Sequence, residues 1–371
     1  MQKNIYISGM INGSYRAQNI IKILGDCGFK YWHLSGYSIA NTIGFKPLRI
    51  ILKIILHCFL LLIKIPLMFS SSHVLVLPMN FSIITLLEVF IGRLLNKKII
   101  IDYYIGIYDT YVNDRKEISA NSRLAKFYQY KDRFLLNNAT LVVFLNKAES
   151  IYYQRVAGVC LKDEKIKIIP LCIDYRKEMF IEKKAESKVF NICWWGTYIP
   201  LHGLEKLIDS FEYINDENIK LYIFGNSDKA AKPYQERINN LKLEDYIVIK
   251  NDISFSNGLL GDFLVNHCDL AIGNFGDSEK AKTVLVNKLV DSISLGIPCL
   301  TQETLATKEF FEDGQAIKYC DATPEGIARM ILKLKNNPEE LDAVKKTAKD
   351  KYIKTFSPDE FKVKLLQALD L

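Results

Sequence analysis

The stretch Val189-Phe190-Asn191-Ile192-Cys193-Trp194-Trp195-Gly196-Thr197-Tyr198-Ile199-Pro200-Leu201-His202-Gly203 decides the fold. An apolar run of strand length enters a loop with glycine at both ends. Leu204-Glu205-Lys206-Leu207-Ile208-Asp209-Ser210-Phe211 follows, with its apolar residues at helical spacing. Strand, glycine turn and helix in that order are the repeating unit of a parallel sheet covered by helices. A loop of this kind also presents free backbone amides at a helix start, where an anion such as phosphate is favoured.

The unit repeats on both sides. Downstream, strand-length apolar runs fall at residues 221–225, 246–250, 268–274, 297–301 and 316–320; upstream they fall at 4–8, 73–78, 98–102, 140–145 and 165–170. Helix-length segments separate them, and a polar, charged stretch at 176–188 reads as a linker. The expected architecture is therefore two doubly wound, Rossmann-like α/β domains, residues 1–180 and 188–355. The ligand is expected in the cleft between them, at the carboxyl ends of the strands.

Composition agrees. With 371 residues, 49% hydrophobic, and only 19 Gly and 10 Pro, the chain can build two cores and is not a low-complexity polymer. Charge is uneven: through Lys177 there are 24 Lys+Arg against 11 Asp+Glu, and in the remainder 25 against 31. A basic first half suits an anionic surface or substrate. No basic block of the kind that binds nucleic acid is present, so no nucleic-acid partner is expected. The eight cysteines are scattered without a CxxC pair, and the five histidines form no HExxH, so buried thiols, a cytoplasmic setting and no metal site are expected.

Residues 48–69 are long and apolar, with Arg49, Lys53, His57 and Lys64 as their polar members. At about 100° per residue these four gather in one narrow stripe, giving an amphipathic helix rather than a membrane span, with Pro66 as its expected end. Packing on the sheet and contact with the inner face of the membrane both remain open readings, and one helix can do both.

Several loops could carry chemistry. The first strand ends in Ser8-Gly9-Met10-Ile11-Asn12-Gly13-Ser14 ahead of Arg16, another anion-friendly turn, while the GxGxxG dinucleotide fingerprint is absent. Asp102 ends a strand and is a candidate for contact with an acceptor. In the second half, Gly273-Asn274-Phe275-Gly276-Asp277-Ser278-Glu279-Lys280-Ala281 follows a buried strand. Then comes Val286-Asn287-Lys288-Leu289-Val290-Asp291, a helix expected to start with Asn287 as N-cap and to stop at Gly296 before Pro298. Lys288 falls in the first turn, where the helix dipole favours an acid, so a cation there points to a bound anion. Asp291 shares its face and can accept from sugar hydroxyls.

Gly196-Thr197 with His202-Gly203, the run 276–281, Asn287-Lys288 and Gly296-Ile297-Pro298 together resemble the retaining GT-B glycosyltransferases of the group 1, family 4 type. Lys165-Ile166-Lys167-Ile168-Ile169-Pro170 with Ile173-Asp174 resembles the strand and turn that close their N-terminal domain. The resemblance implies transfer of a sugar from a nucleotide-sugar, UDP- rather than GDP-linked, to a glycan or lipid-linked acceptor in bacterial-type surface polysaccharide synthesis. It implies neither metal nor cofactor, a donor held by the second domain, and residues 356–371 returning as a helix to the first. Carried over, Gly196, Thr197 and His202 line the diphosphate loop, Gly225 and Asn226 approach the nucleotide, and residues 274–280 (Asn274, Phe275, Gly276 and Lys280 among them) face sugar and phosphates. Lys288 lies near the diphosphate and Asp291 on the ribose. Many relatives have Arg at the position of Thr197, Lys at that of His202, and a glutamate pair where Thr283 and Asp291 stand. Lys280, Lys288 and the helix start at Asn287 are expected to supply the missing charge. A non-catalytic binding protein and a nucleotide-sugar epimerase of the same architecture are the alternatives.

Overall fold

The computed structural model describes residues 4–34, 46–77, 84–174 and 188–370. The chain forms two compact units: Met1–Ile169 with Lys362–Leu371, and Pro170–Phe361. Most of the linker expected at 176–188 lies outside the described residues.

In the first unit, strands β1 (Ile5–Ser8), β2 (Tyr31–His33), β3 (His73–Val76), β4 (Lys98–Asp102), β5 (Leu141–Phe144) and β6 (Ile166–Ile168) form one parallel sheet in the order β2-β1-β3-β4-β5-β6. In the second, β7 (Phe190–Trp195), β8 (Ile219–Phe224), β9 (Ile247–Ile249), β10 (Leu270–Ile272), β11 (Cys299–Gln302) and β12 (Ile317–Cys320) form another, ordered β12-β11-β10-β7-β8-β9. Each winds outward in both directions from its first strand, which creates a switch point between β1 and β3 and between β7 and β10. All eleven apolar runs contain a strand. The strand missed is β2, a three-residue edge strand with no apolar run.

The central strands are buried on both faces, as helix-covered parallel strands must be. In the second unit, Ile192, Trp194, Leu221, Ile223, Leu270 and Ile272 meet Leu204, Leu207, Ile208 and Phe211 of the segment that follows β7. The C-terminal helix Pro358–Leu369 ends against the first unit, where Lys98 Nζ donates to Ala368 O at 3.3 Å and pairs with Asp370. Among the described cysteines none is paired; Cys172, Cys193 and Cys299 are buried, whereas Cys160 is exposed.

The helix Lys46–Phe69 does not stop at Pro66 as expected; it runs one further turn. Proline costs that turn one amide, and the segment is closed by Ser70 N on Pro66 O at 3.1 Å and by the Ser70 and Ser71 hydroxyls on Leu67 O. Lys64, one of the four polar members of the helix's narrow stripe, is buried. It turns inward and donates to Glu88 Oε1 at 2.6 Å, with both side chains buried. Glu88, on the helix Ile84–Leu94, further accepts from Tyr6 Oη at 3.0 Å and from the Ser8 hydroxyl of β1. One carboxylate therefore ties two helices to the first strand. Replacing Lys64 with Ala strands that charge, and denaturant unfolding is expected to show a loss of about 3–5 kcal/mol, part of which returns when Glu88→Gln is added.

Candidate functional site

The loops that leave the carboxyl ends of β7 and β10 flank the switch point of the second sheet, and they are fastened to each other. Phe275 N donates to His202 O at 3.1 Å. A Cβ on Gly203 would lie 2.5 Å from the Phe275 carbonyl carbon, and one on Gly276 would lie 2.1 Å from Leu201 O. Backbone touches backbone at both points, so neither residue can carry a side chain; Gly203 is also left-handed, at φ +59°.

Asn274 braces the second loop. Its Oδ1 accepts from Gly276 N at 3.0 Å and its Nδ2 donates to Ala281 O at 2.8 Å, while Gln302 Nε2 donates to Gly276 O at 2.7 Å. Phe275 is part of the apolar core. Asn274 and Phe275 therefore support the loop from within and do not face a sugar as expected.

On this support, three residues converge. Gly196 adopts φ +146°, and a methyl placed on it would sit 3.5 Å from both His202 Nε2 and Lys288 Nζ. Lys288 Nζ stands 4.1 Å from the centroid of the Trp194 ring, and the His202 ring meets the same indole edge-on at 5.8 Å. Among the described residues Lys288 Nζ, His202 Nδ1 and Trp194 Nε1 make no hydrogen bond, although all three atoms are buried.

That arrangement is expensive. A desolvated cation–π contact returns about 2 kcal/mol, whereas taking an ammonium out of water costs several kcal/mol. Burial accordingly pushes the Lys288 amine well below its ordinary range, against the pull of Cys299 and Asp291. Burial, with Lys288 beside it, pushes the His202 imidazole down as well. An anion in this position supplies the missing partner.

The helix Asn287–Ser294 presents Lys288 and Asp291 three residues apart. Its N-cap is Val286, in extended conformation and without a side-chain cap, so Asn287 is the first helical residue and not the cap. Leu285 and Val286 are both anchored in the interior, which sets the start one residue early. Gly296 ends the helix at φ +69°, as expected. Asp291 accepts from Trp195 Nε1 at 2.9 Å, and burial raises its carboxyl to about 7.

The other expected residues are distributed around this centre. Lys280 is buried in the short helix Glu279–Thr283, which packs on the turn Pro200–His202. Thr283, at the first glutamate position of the relatives, spends its hydroxyl on Glu279 O at 3.0 Å. Thr197 and Asn226 are exposed. Gly225 has another purpose than expected: a Cβ there would fall 2.2 Å from atoms of the Tyr198 ring, so the bare backbone makes room for this chain's own tyrosine. Tyr198 stacks on Trp194 and Tyr234 at 5.8 and 5.2 Å, and its hydroxyl donates to Asn251 Oδ1 at 2.7 Å.

In the first unit, Gly13 ends the turn Ile11–Gly13 ahead of the helix Tyr15–Asp26, whose cap Ser14 accepts from Ala17 N at 3.2 Å. Asp102 is not open to an acceptor. It is buried at the end of β4, and both its oxygens accept from Arg16 Nε, at 2.9 and 2.7 Å. Burial raises its pKa while Arg16 opposes the rise.

Sequence reasoning missed Trp194, Trp195 and Tyr198 as site residues. The available signal was two consecutive indoles at the end of an apolar strand, where alternation sends them to opposite faces and each needs a polar use.

No family model matches the chain, and no curated protein matches it in sequence. Solved structures do match in three dimensions. Anabaena HepE in complex with UDP and glucose aligns at 12% identity over 100% of both chains, with a TM-score of 0.69. Sucrose-phosphate synthase from Thermosynechococcus elongatus aligns at 11% identity over 100% of this chain and 98% of that one, at 0.67. The lipopolysaccharide outer core galactosyltransferase WaaB aligns at 11% identity over 100% and 99%, at 0.62. The fold is GT-B.

In this GT-B chain the buried amine makes a prediction about stability. The unfolded chain holds a proton on Lys288 up to about pH 10.5 and the native site resists it, so native stability falls as pH drops below that value. Lys288→Met removes the burden. The variant is expected to be more stable than the parent by about 1–4 kcal/mol at neutral pH. Denaturant melts at rising pH should show that advantage shrinking as the ordinary lysine range is approached; an advantage that grows instead contradicts the buried, unpartnered amine.

Proposed function

We propose that this chain is a glycosyltransferase that moves a sugar from a UDP-sugar to a glycan or lipid-linked acceptor of surface polysaccharide synthesis, with retention of anomeric configuration. The observation that carries the reading is the meeting of His202 and Lys288 over Gly196, with buried nitrogens lacking hydrogen-bond partners, at the switch point of the second sheet. The likeness to HepE, solved with UDP and glucose, and to WaaB, a galactosyltransferase, supports it.

In this reading the diphosphate of the donor lies against Gly196, where the absence of a side chain lets it approach the backbone. Lys288 takes up a proton as the anion arrives and leaves the Trp194 face for a phosphate oxygen. His202, neutral in the buried site, donates a hydrogen bond to the same group. Asp291, held by Trp195, accepts from a ribose hydroxyl. When the bond between the anomeric carbon and the phosphate oxygen breaks, negative charge accumulates on the leaving diphosphate and positive charge on the sugar. Fixed donors aimed at the former lower the barrier. The acceptor oxygen then attacks the face from which the diphosphate departs, losing its proton to that leaving group, which accounts for retention. Protonated Lys288 and the hydrogen bond from His202 supply the charge stabilisation without a metal or a cofactor.

The test is release of UDP from a panel of UDP-sugars, with and without lipid-linked glycan acceptors. Lys288→Ala is expected to lower kcat by about 10²–10³-fold, as loss of one preorganised donor does elsewhere. A chelator should leave the rate unchanged. Unaltered turnover in the variant overturns the assignment; UDP binding without turnover points to a non-catalytic binder, a reading kept alive by Thr197 at a position where relatives carry Arg, and isomerised donor points to an epimerase.

A further inference from the structure

The helix Lys46–Phe69 carries a row of exposed apolar residues at helical spacing, Leu52, Ile55, Phe59, Leu62, Pro66 and Phe69, about 26 Å long. Its opposite face is the one that buries Lys64 and Met68. The helix Ile84–Leu94 packs beside it and repeats the pattern: Thr85, Glu88, Val89 and Gly92 are buried, whereas Leu87, Phe90 and Leu94 are exposed. Phe59, Leu62, Phe69 and Leu94 are each 63–68% exposed, which is far more than a helix covering a sheet needs to leave open.

Charge says what covers this surface. Between residues 46 and 101 the only Asp or Glu is Glu88, and it is buried against Lys64. Arg93 is exposed, and neither it nor Lys97 meets an exposed carboxylate from either helix. Lys97 marks the edge of the apolar row, donating to Phe69 O at 2.8 Å with its ammonium 5.8 Å from the Phe69 ring centre. Among the described residues no helix is long and apolar enough to cross a membrane. Aromatic and aliphatic residues edged by Arg93 and Lys97, with Glu88 buried as the one acid of these helices, suit shallow insertion among anionic headgroups. A second copy of this chain would instead bring the same cations face to face.

We propose that the helices Lys46–Phe69 and Ile84–Leu94 together form a docking surface for an anionic phospholipid bilayer, with Phe59, Leu62, Phe90 and Leu94 inserting below the headgroups. The second helix contributes as much as the first. This surface presents a lipid-linked acceptor to the enzyme under the function proposed above, but its binding to lipid does not depend on catalysis.

The experiment is co-sedimentation of the full chain with vesicles of phosphatidylglycerol and of phosphatidylcholine, beside sedimentation velocity without lipid. Binding to phosphatidylglycerol, weakened by salt and at least about tenfold tighter than to phosphatidylcholine, is expected. Phe59→Ser/Leu62→Ser and Phe90→Ser/Leu94→Ser should each reduce it by about tenfold or more, with unchanged melting temperature because all four side chains face solvent. Absence of vesicle binding overturns the proposal, as does loss confined to the first pair. A dimer that both pairs dissociate, with no affinity for vesicles, assigns the surface to a second copy instead. Vesicle binding by a chain that consumes no UDP-sugar would leave the docking surface standing and refute only the catalytic reading.

Discussion

A single buried lysine amine organises the second unit. Lys288 is held over an indole, next to a neutral imidazole and a bare glycine, with no hydrogen bond among the described residues. Nothing in the packing of a doubly wound sheet requires a lysine at the start of that helix, and the helix dipole disfavours it. The cost is tolerated because it is local: Phe275, Asn274 and the glycines at 203 and 276 lock the two flanking loops so that the site does not collapse around the amine. Rigid support around an unpartnered amine is the preorganisation an anion site needs.

The first unit shows how the same chain treats buried charges that have no ligand to meet. Lys64 is paired with Glu88, and Arg16 with Asp102. Tyr6 and Ser8 add hydrogen bonds to Glu88, so that its charge is answered by three groups from two elements. These pairs fix strands to helices. Lys288, at the switch point of the second sheet, has no such hydrogen bond among the described residues.

The fold was legible because parallel strands covered on both sides must be apolar along their whole length, and eleven such runs stand out between helix-length segments. The edge strand Tyr31–His33 escaped because it is half-exposed and short. In the site, Gly196, His202 and Lys288 were legible from chemistry that makes little sense in isolation: glycines around a loop and a cation at the wrong end of a helix. Asn274, Phe275 and Gly225 were misread because a short polar or glycine residue beside a strand end has the same appearance whether it serves a ligand or its own loop. Asp102 was misread for a related reason, since its partner Arg16 lies 86 positions away and only the sheet brings them together. Pro66 and Asn287 show the limit of local rules: tertiary packing carries one helix past a proline and starts another one residue early.

The central claim is that Lys288 awaits a diphosphate. Calorimetric titration of UDP into the protein, repeated in buffers of different ionisation enthalpy, tests it most directly. Binding accompanied by net proton uptake, with both the affinity and the uptake lost in Lys288→Met while His33→Ala in the first unit changes neither, is the predicted result. Binding that Lys288→Met leaves intact, or no binding of UDP at all, contradicts it.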